Sequence, residues 1–216
     1  MKDTFRHKGL RKILVESLIE KGIKNSRVLE MINEIPRHQF MDNAFIQFAY
    51  QDRAFPIGSG QTISQPYTVA FQTELLDVKP YEKVLEVGTG SGYQAAVLVG
   101  LEANVYTIER QKELFQKAKE FLPMIGYNCN FFYGDGYKGL EKFAPFDKII
   151  ITCGAPEIPE ELIKQLKVGG RMVAPIGSGD VQVMYLIKKI SESEISTTTH
   201  GEFSFVPMLN NKNYGN

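Results

Sequence analysis

The chain has 216 residues, 25 Lys and Arg against 25 Asp and Glu, and is 43% hydrophobic and 11% aromatic. That composition excludes disorder and supplies enough apolar material for one large folded domain. A net charge of zero, spread along the sequence, offers no basic face for a polyanion, so nucleic acid is not an expected partner.

At the N-terminus Lys2, Arg6, Lys8, Arg11 and Lys12 precede only Ile13-Leu14-Val15 before Glu16, which is not a secretion signal. No apolar run approaches the roughly 20 residues of a membrane span, so no membrane partner is expected. Leu10, Ile13, Leu14 and Leu18 recur at helical spacing and Gly22 follows, predicting an amphipathic helix. A second is capped by Asn25 or Ser26, carries Val28, Met31, Ile32 and Ile35 on its apolar stripe, and closes at Pro36. The segment 56–66 is too rich in Gly, Ser and Thr for core and too long for a plain turn, so it reads as a shaped functional loop. Pro66 suits the first turn of a helix running through Leu75 and Leu76, with Ser64 or Gln65 as its N-cap.

From Lys83 onward, short apolar runs alternate with helical stretches, the pattern of a parallel sheet with crossover helices. Strands are predicted at 83–87, 104–109, 129–133, 146–152, 171–175 and 182–190, with a last run at 202–206. Helices are predicted near 91–101, 112–124, 138–143 and 159–166, the last ended by Gly169-Gly170. The two runs after Pro175 lack a helical spacer and are expected to pair antiparallel at the sheet edge, and the Asn-rich tail 210–216 reads as a frayed end. Cys129 and Cys153 have neither C-x-x-C spacing nor a nearby His, which argues against a disulfide framework or a structural metal site. A reducing cytoplasm is the expected location.

Val84-Leu85-Glu86-Val87-Gly88-Thr89-Gly90-Ser91-Gly92 is the most informative stretch: a buried strand entering a glycine loop and then a helix. Glycines permit a sharp turn and close approach to a ligand, and the following helix N-terminus favours an anionic group. Glu109 ends the next strand, 21 residues after Gly88, where a carboxylate can accept hydrogen bonds from both ribose hydroxyls of an adenosine ligand. The loop spacing is G-x-G-x-G rather than G-x-G-x-x-G, and Glu86 precedes it, an arrangement awkward for pyrophosphate. It suits the ammonium and sulfonium of S-adenosylmethionine. In Gly134-Asp135-Gly136 the Asp could accept from the adenine amino group, although a plain turn uses the same residues.

Taken with Pro56-Ile57-Gly58, Gly60-Gln61-Thr62-Ile63-Ser64, Tyr106-Thr107-Ile108-Glu109-Arg110, Ala155-Pro156 and Phe205-Val206-Pro207, these motifs resemble the protein-L-isoaspartate (D-aspartate) O-methyltransferase family over nearly the whole chain. The resemblance implies an α/β, Rossmann-like S-adenosylmethionine-dependent methyltransferase fold. It has a seven-stranded, mostly parallel sheet whose last strand is inserted antiparallel, and N-terminal helices that help cover the site. The single domain, 1–216, then divides into helices and a substrate-site loop (1–80) and a cofactor-binding sheet with edge strands (81–210). The implied reaction methylates the free carboxylate of L-isoaspartyl residues in damaged proteins and peptides, giving an ester that collapses to succinimide. Ser64 corresponds to the active-site serine, and Gln61, Thr62 and Ile63 line the transfer site with it. Glu86, Gly88, Thr89, Gly90, Gly92, Glu109, Asp135 and Gly136 would bind the cofactor, and Val206 with its neighbours the substrate peptide. No metal is called for, and a monomer is favoured. Gln65, Tyr67, Cys153 and Gly154 depart from the common family pattern, which bears on peptide preference.

His7, His38 and His200 are scattered and are expected to be structural or surface residues. Three other readings share part of the signal: a methyltransferase of a small molecule or RNA, a non-catalytic S-adenosylmethionine-binding adaptor, and a nicotinamide oxidoreductase. Ile151-Thr152-Cys153-Gly154 stands where base-amine methylation places an Asn-Pro-Pro-aromatic motif, and the loop spacing disfavours the oxidoreductase.

Overall fold

The computed structural model describes residues 2–213. Helix α1 (Phe5–Glu20) starts where the Thr4 hydroxyl accepts the His7 N–H and His7 Nδ1 accepts the Thr4 N–H, a reciprocal cap that satisfies two end donors. In α2 (Ser26–Glu34) the Asn25 side chain caps the N–H groups of Arg27 and Val28. Two 3-10 turns follow, Arg37–Phe40 and Asn43–Phe48, where the sequence shows no periodicity. The Gly- and Ser-rich segment then folds into a hairpin of β1 (Phe55–Gly58) and β2 (Gln61–Ile63), with Gly58, Ser59 and Gly60 all at positive φ. Helix α3 (Pro66–Leu76) begins at Pro66; its N-cap residue is Gln65, whose side chain makes no cap bond. Ser64 lies one residue before the cap position.

The main sheet has seven strands: β3 (Lys83–Val87), β4 (Asn104–Glu109), β5 (Asn130–Tyr133), β6 (Phe146–Ile151), β7 (Leu166–Ile176), β8 (Gln182–Lys189) and β9 (Ile195–Phe203). Their spatial order is β5-β4-β3-β6-β7-β8-β9, parallel from β5 to β7. Helices α4 (Tyr93–Gly100), α5 (Lys112–Met124) and α6 (Glu160–Gln165) connect the parallel strands. Side chains alternate across the pleat, so Val84 and Ile150 join a core cluster with α1, α2 and α3 while Leu85 and Ile149 join a second on the opposite face. Both faces are covered, which is why the central strands read as continuous apolar runs.

Five expectations are corrected. The last strand, β9, pairs antiparallel with β8 as expected but lies at the sheet edge rather than being inserted, and β8 is also antiparallel to β7. β9 also spans Ile195–Phe203 instead of 202–206, because its exposed Ser and Thr residues lack the apolar alternation of a half-buried strand. The helix expected at 138–143 is two 3-10 turns, Gly136–Lys138 and Glu141–Phe143, separated by Gly139 at φ +57. Gly169-Gly170 do not end α6; the chain enters β7 directly at Leu166, with an irregular register opposite Phe146–Lys148. Part of the Asn-rich tail is held: Arg110 Nε donates to the Asn211 carbonyl and the Asn213 N–H to the Arg110 carbonyl. Residues 214–216 of that expectation lie outside the described residues.

Candidate active site

Strand order reverses at β3, whose neighbours are β4 on one side and β6 on the other, and a cavity opens beyond their carboxyl ends. Its floor is the glycine loop. Gly88, Gly90 and Gly92 have φ of 100, 52 and 82 degrees, backbone that side-chain-bearing residues rarely adopt. A Cβ on Gly88 would also fall 2.5 Å from Thr152 Oγ1, which donates to the Gly88 carbonyl at 2.7 Å.

Glu109, at the end of β4, is not the surface acid that a strand end often carries: it is 5% exposed and lies on the cavity wall. Its Oε2 accepts the Gly90 N–H at 2.9 Å and its Oε1 the Gln111 N–H at 2.8 Å, which fixes the carboxylate plane. Burial pushes its pKa up, and the backbone donors of Gln111, Gly90 and Arg110 oppose that. Glu86 is fully buried and stands behind the loop rather than among the lining residues. Thr107 Oγ1 donates to its Oε2 at 2.5 Å and lies 2.6 Å from Thr89 Oγ1, so Glu86 reaches the cavity wall through two hydroxyls. Among the described residues its Oε1 is buried without a partner, and desolvation raises its pKa to about 8 despite the Thr107 bond. Gly136 lines the cavity. Asp135 does not; its oxygens accept the N–H groups of Tyr137 and Asn211.

The hairpin supplies the opposite wall with Gln61, Thr62, Ile63 and Ser64. Beyond it a groove runs between Tyr67 and Thr68 of α3 and the stretch from His200 to Val206. Thr62, Ser64, Thr152 and Val206 belong to both walls, so Ser64 stands where cavity and groove meet. The chain after β9 completes the closure: the Gly154 N–H donates to the Val206 carbonyl and the Met208 N–H to the Gly154 carbonyl, setting Met208 and Leu209 on the cavity wall. The structure thus gathers Gln61, Thr62, Ile63, Ser64, Gly88, Thr89, Gly90, Glu109, Gly136 and Val206 on one cavity, and leaves Glu86, Gly92 and Asp135 off its lining.

Tyr93, Gln94 and Met208 also line the cavity and were not singled out by motif. Tyr93-Gln94 open α4 immediately after the glycines, a position that could have flagged them. Met208 gave no signal, because only the fold returns it to Gly154. Asp3, His7 and His38 bring ligand atoms within 4.8 Å of one another, but both Asp3 oxygens accept from Arg11 at 2.8 Å, so that carboxylate is already paired with a cation. Among the described residues, His38 is buried against Tyr50, in keeping with a structural role.

A cavity at the strand-order reversal, with a tethered acid above a glycine loop, places the chain among Rossmann-like α/β proteins with a ligand site at the switch point. Residues 9–213 match the family model described as protein-L-isoaspartate(D-aspartate) O-methyltransferase. The chain belongs to that family. It is 58% identical over 214 residues to the protein-L-isoaspartate O-methyltransferase of Christiangramia forsetii, covering 99% of this chain and 100% of the relative. The Flavobacterium psychrophilum protein of the same name is 56% identical with the same coverage. Among solved structures, a protein-L-isoaspartate O-methyltransferase superposes with a TM-score of 0.84 at 30% identity, over 93% of this chain and 66% of that one. A putative Plasmodium falciparum protein-L-isoaspartate O-methyltransferase in complex with S-adenosyl-L-homocysteine gives 0.78 at 26%, over 95% and 99%.

Proposed function

We propose that the chain is an S-adenosylmethionine-dependent enzyme of protein repair, methylating the free carboxylate of L-isoaspartyl residues in damaged proteins and peptides. The observation that carries this reading is the position of Ser64 on the wall shared by the cavity beside the glycine loop and the adjoining groove. A donor in the first and an extended peptide in the second would meet at that hydroxyl.

The residues present fit S-adenosylmethionine. Glu109 offers two positioned oxygens for paired ribose hydroxyls, Gly136 passes close beside the wall where a Cβ would strike Val87, and Glu86 holds Thr89 from behind through Thr107. When bound, the cofactor supplies an electrophilic methyl group. The chain's own task is placement. A carboxylate with a pKa near ~4 is ionised at neutral pH, so no strong general base is required. Ser64 donates a hydrogen bond to that carboxylate and orients it without neutralising it, while Val206 and the Phe203–Phe205 stretch hold the peptide beside it. Positioning of this kind contributes roughly 7 to 11 kcal/mol in favourable cases.

The zero net charge supports a partner other than nucleic acid or a membrane surface. Free Cys129 and Cys153 are compatible with a reducing cytoplasm. The test is a pair of peptides identical except for isoaspartyl or normal aspartyl linkage, each incubated with labelled S-adenosylmethionine. Label should enter the isoaspartyl peptide alone; label in the normal peptide alone, or in neither, rejects the assignment.

A further inference from the structure

Arg37, in the 3-10 turn after α2, is completely buried. Its Nη2 donates to the Ser64 carbonyl at 2.8 Å and to the Arg53 carbonyl at 3.4 Å. These carbonyls flank the hairpin, since Arg53 lies just before β1 and Ser64 just after β2, while the outermost backbone pair of that ladder is Phe55 with Ile63. One nitrogen thus closes the open foot of the element that brings Gln61, Thr62 and Ile63 to the cavity. The guanidinium carbon lies 4.9 Å from the ring centroid of Tyr93, another cavity residue. Nε and Nη1 are buried without hydrogen-bond partners among the described residues, and burial lowers the pKa to about 10, which leaves the group charged at neutral pH.

Burying an incompletely paired charge is costly, and where only packing is at stake apolar residues of similar volume do as well or better. An apolar side chain cannot hold two carbonyls at fixed positions. We propose that Arg37 is a positioning residue for methyl transfer: by clamping the carbonyls of Arg53 and Ser64 it fixes the hairpin foot and hence the direction of the Ser64 hydroxyl. Small misplacements of a positioning group cost rate heavily, on the order of a hundredfold for 1 Å. The proposal rests on the acceptor role given to Ser64 above.

A double-mutant cycle tests it, with Arg37→Met, Ser64→Ala and the double variant assayed on an isoaspartyl peptide and their S-adenosylmethionine affinity measured by calorimetry. Arg37→Met should lower kcat about tenfold or more while changing cofactor affinity by less than about twofold, and in the Ser64→Ala background the same change should have almost no effect. Arg37→Lys, which keeps one donor, should fall between. Equal factors in the two backgrounds, or a loss of cofactor affinity matching the loss of turnover, would overturn the clamp. If Arg37→Met does not fold, the cycle with Arg37→Lys carries the same criteria. Native turnover in Ser64→Ala would instead reject the role of Ser64 itself, and the clamp with it.

Discussion

Glu109 Oε2 accepts the Gly90 N–H at 2.9 Å, so the acid that ends β4 is tied to the loop that follows β3. The second oxygen is tied to Gln111. The carboxylate is thereby held in place before any ligand arrives, and removing it loosens both the loop and the wall.

Glu109→Ala should accordingly weaken S-adenosylmethionine binding. Hydrogen bonds to a charged group contribute about 1.5–3 kcal/mol each, so a loss of at least about tenfold in affinity is expected by calorimetry. Native affinity in a folded variant would remove Glu109 from the cofactor site.

Ser64→Ala should have the opposite profile. The cofactor affinity should stay near native while turnover on an isoaspartyl peptide falls by about 10- to 150-fold, the equivalent of one charge-assisted hydrogen bond. Unchanged turnover in a steady-state assay would reject the assigned contact.

Glu86 makes stability depend on pH. Its folded-state pKa is raised to about 8 from 4.5, so its contribution is most favourable below about pH 4.5 and is lost as pH rises through about 8. Glu86→Gln, which keeps an acceptor for Thr107, should raise the melting temperature relative to the parent progressively over that window. A difference that is flat with pH, seen in thermal melts from pH 4 to 9, would contradict the buried protonated acid.

The loop glycines should differ in their tolerance of a methyl group. Gly88→Ala meets both an unfavourable φ and a Cβ contact of 2.5 Å with Thr152 Oγ1, whereas at Gly90 the nearest atom is Ile57 Cδ1 at 3.4 Å. The first should cost about 2–4 kcal/mol and the second about 1 kcal/mol in urea unfolding. Equal losses would mean that backbone strain alone governs the loop.

The parallel half of the sheet was legible because strands buried on both faces are dominated by apolar residues, as in Ile149–Ile151 and in Val84, Leu85 and Val87 around the single acid Glu86. The G-x-G-x-G turn and Glu109 were legible because their positions follow from chain geometry near β3 and β4. β9 was misplaced because Thr197, Thr198 and Thr199 are exposed and leave no hydrophobic trace. Arg37 was invisible for a different reason: an Arg-His pair after a proline reads as solvated charge, and only the packed hairpin reveals it as buried. Glu86 was recognised as unusual, but its separation from the lining by Thr107 and Thr89 is a tertiary fact that no spacing encodes.

The pairing of Gly154 with Val206 and Met208 has a consequence for biosynthesis. A nascent polypeptide that has not yet reached Met208 lacks part of the cavity's boundary, however well its β3–β7 strands have assembled. The donor site is therefore expected to close only once that segment has been made, and cleavage just before Val206 is expected to weaken donor retention in a calorimetric titration.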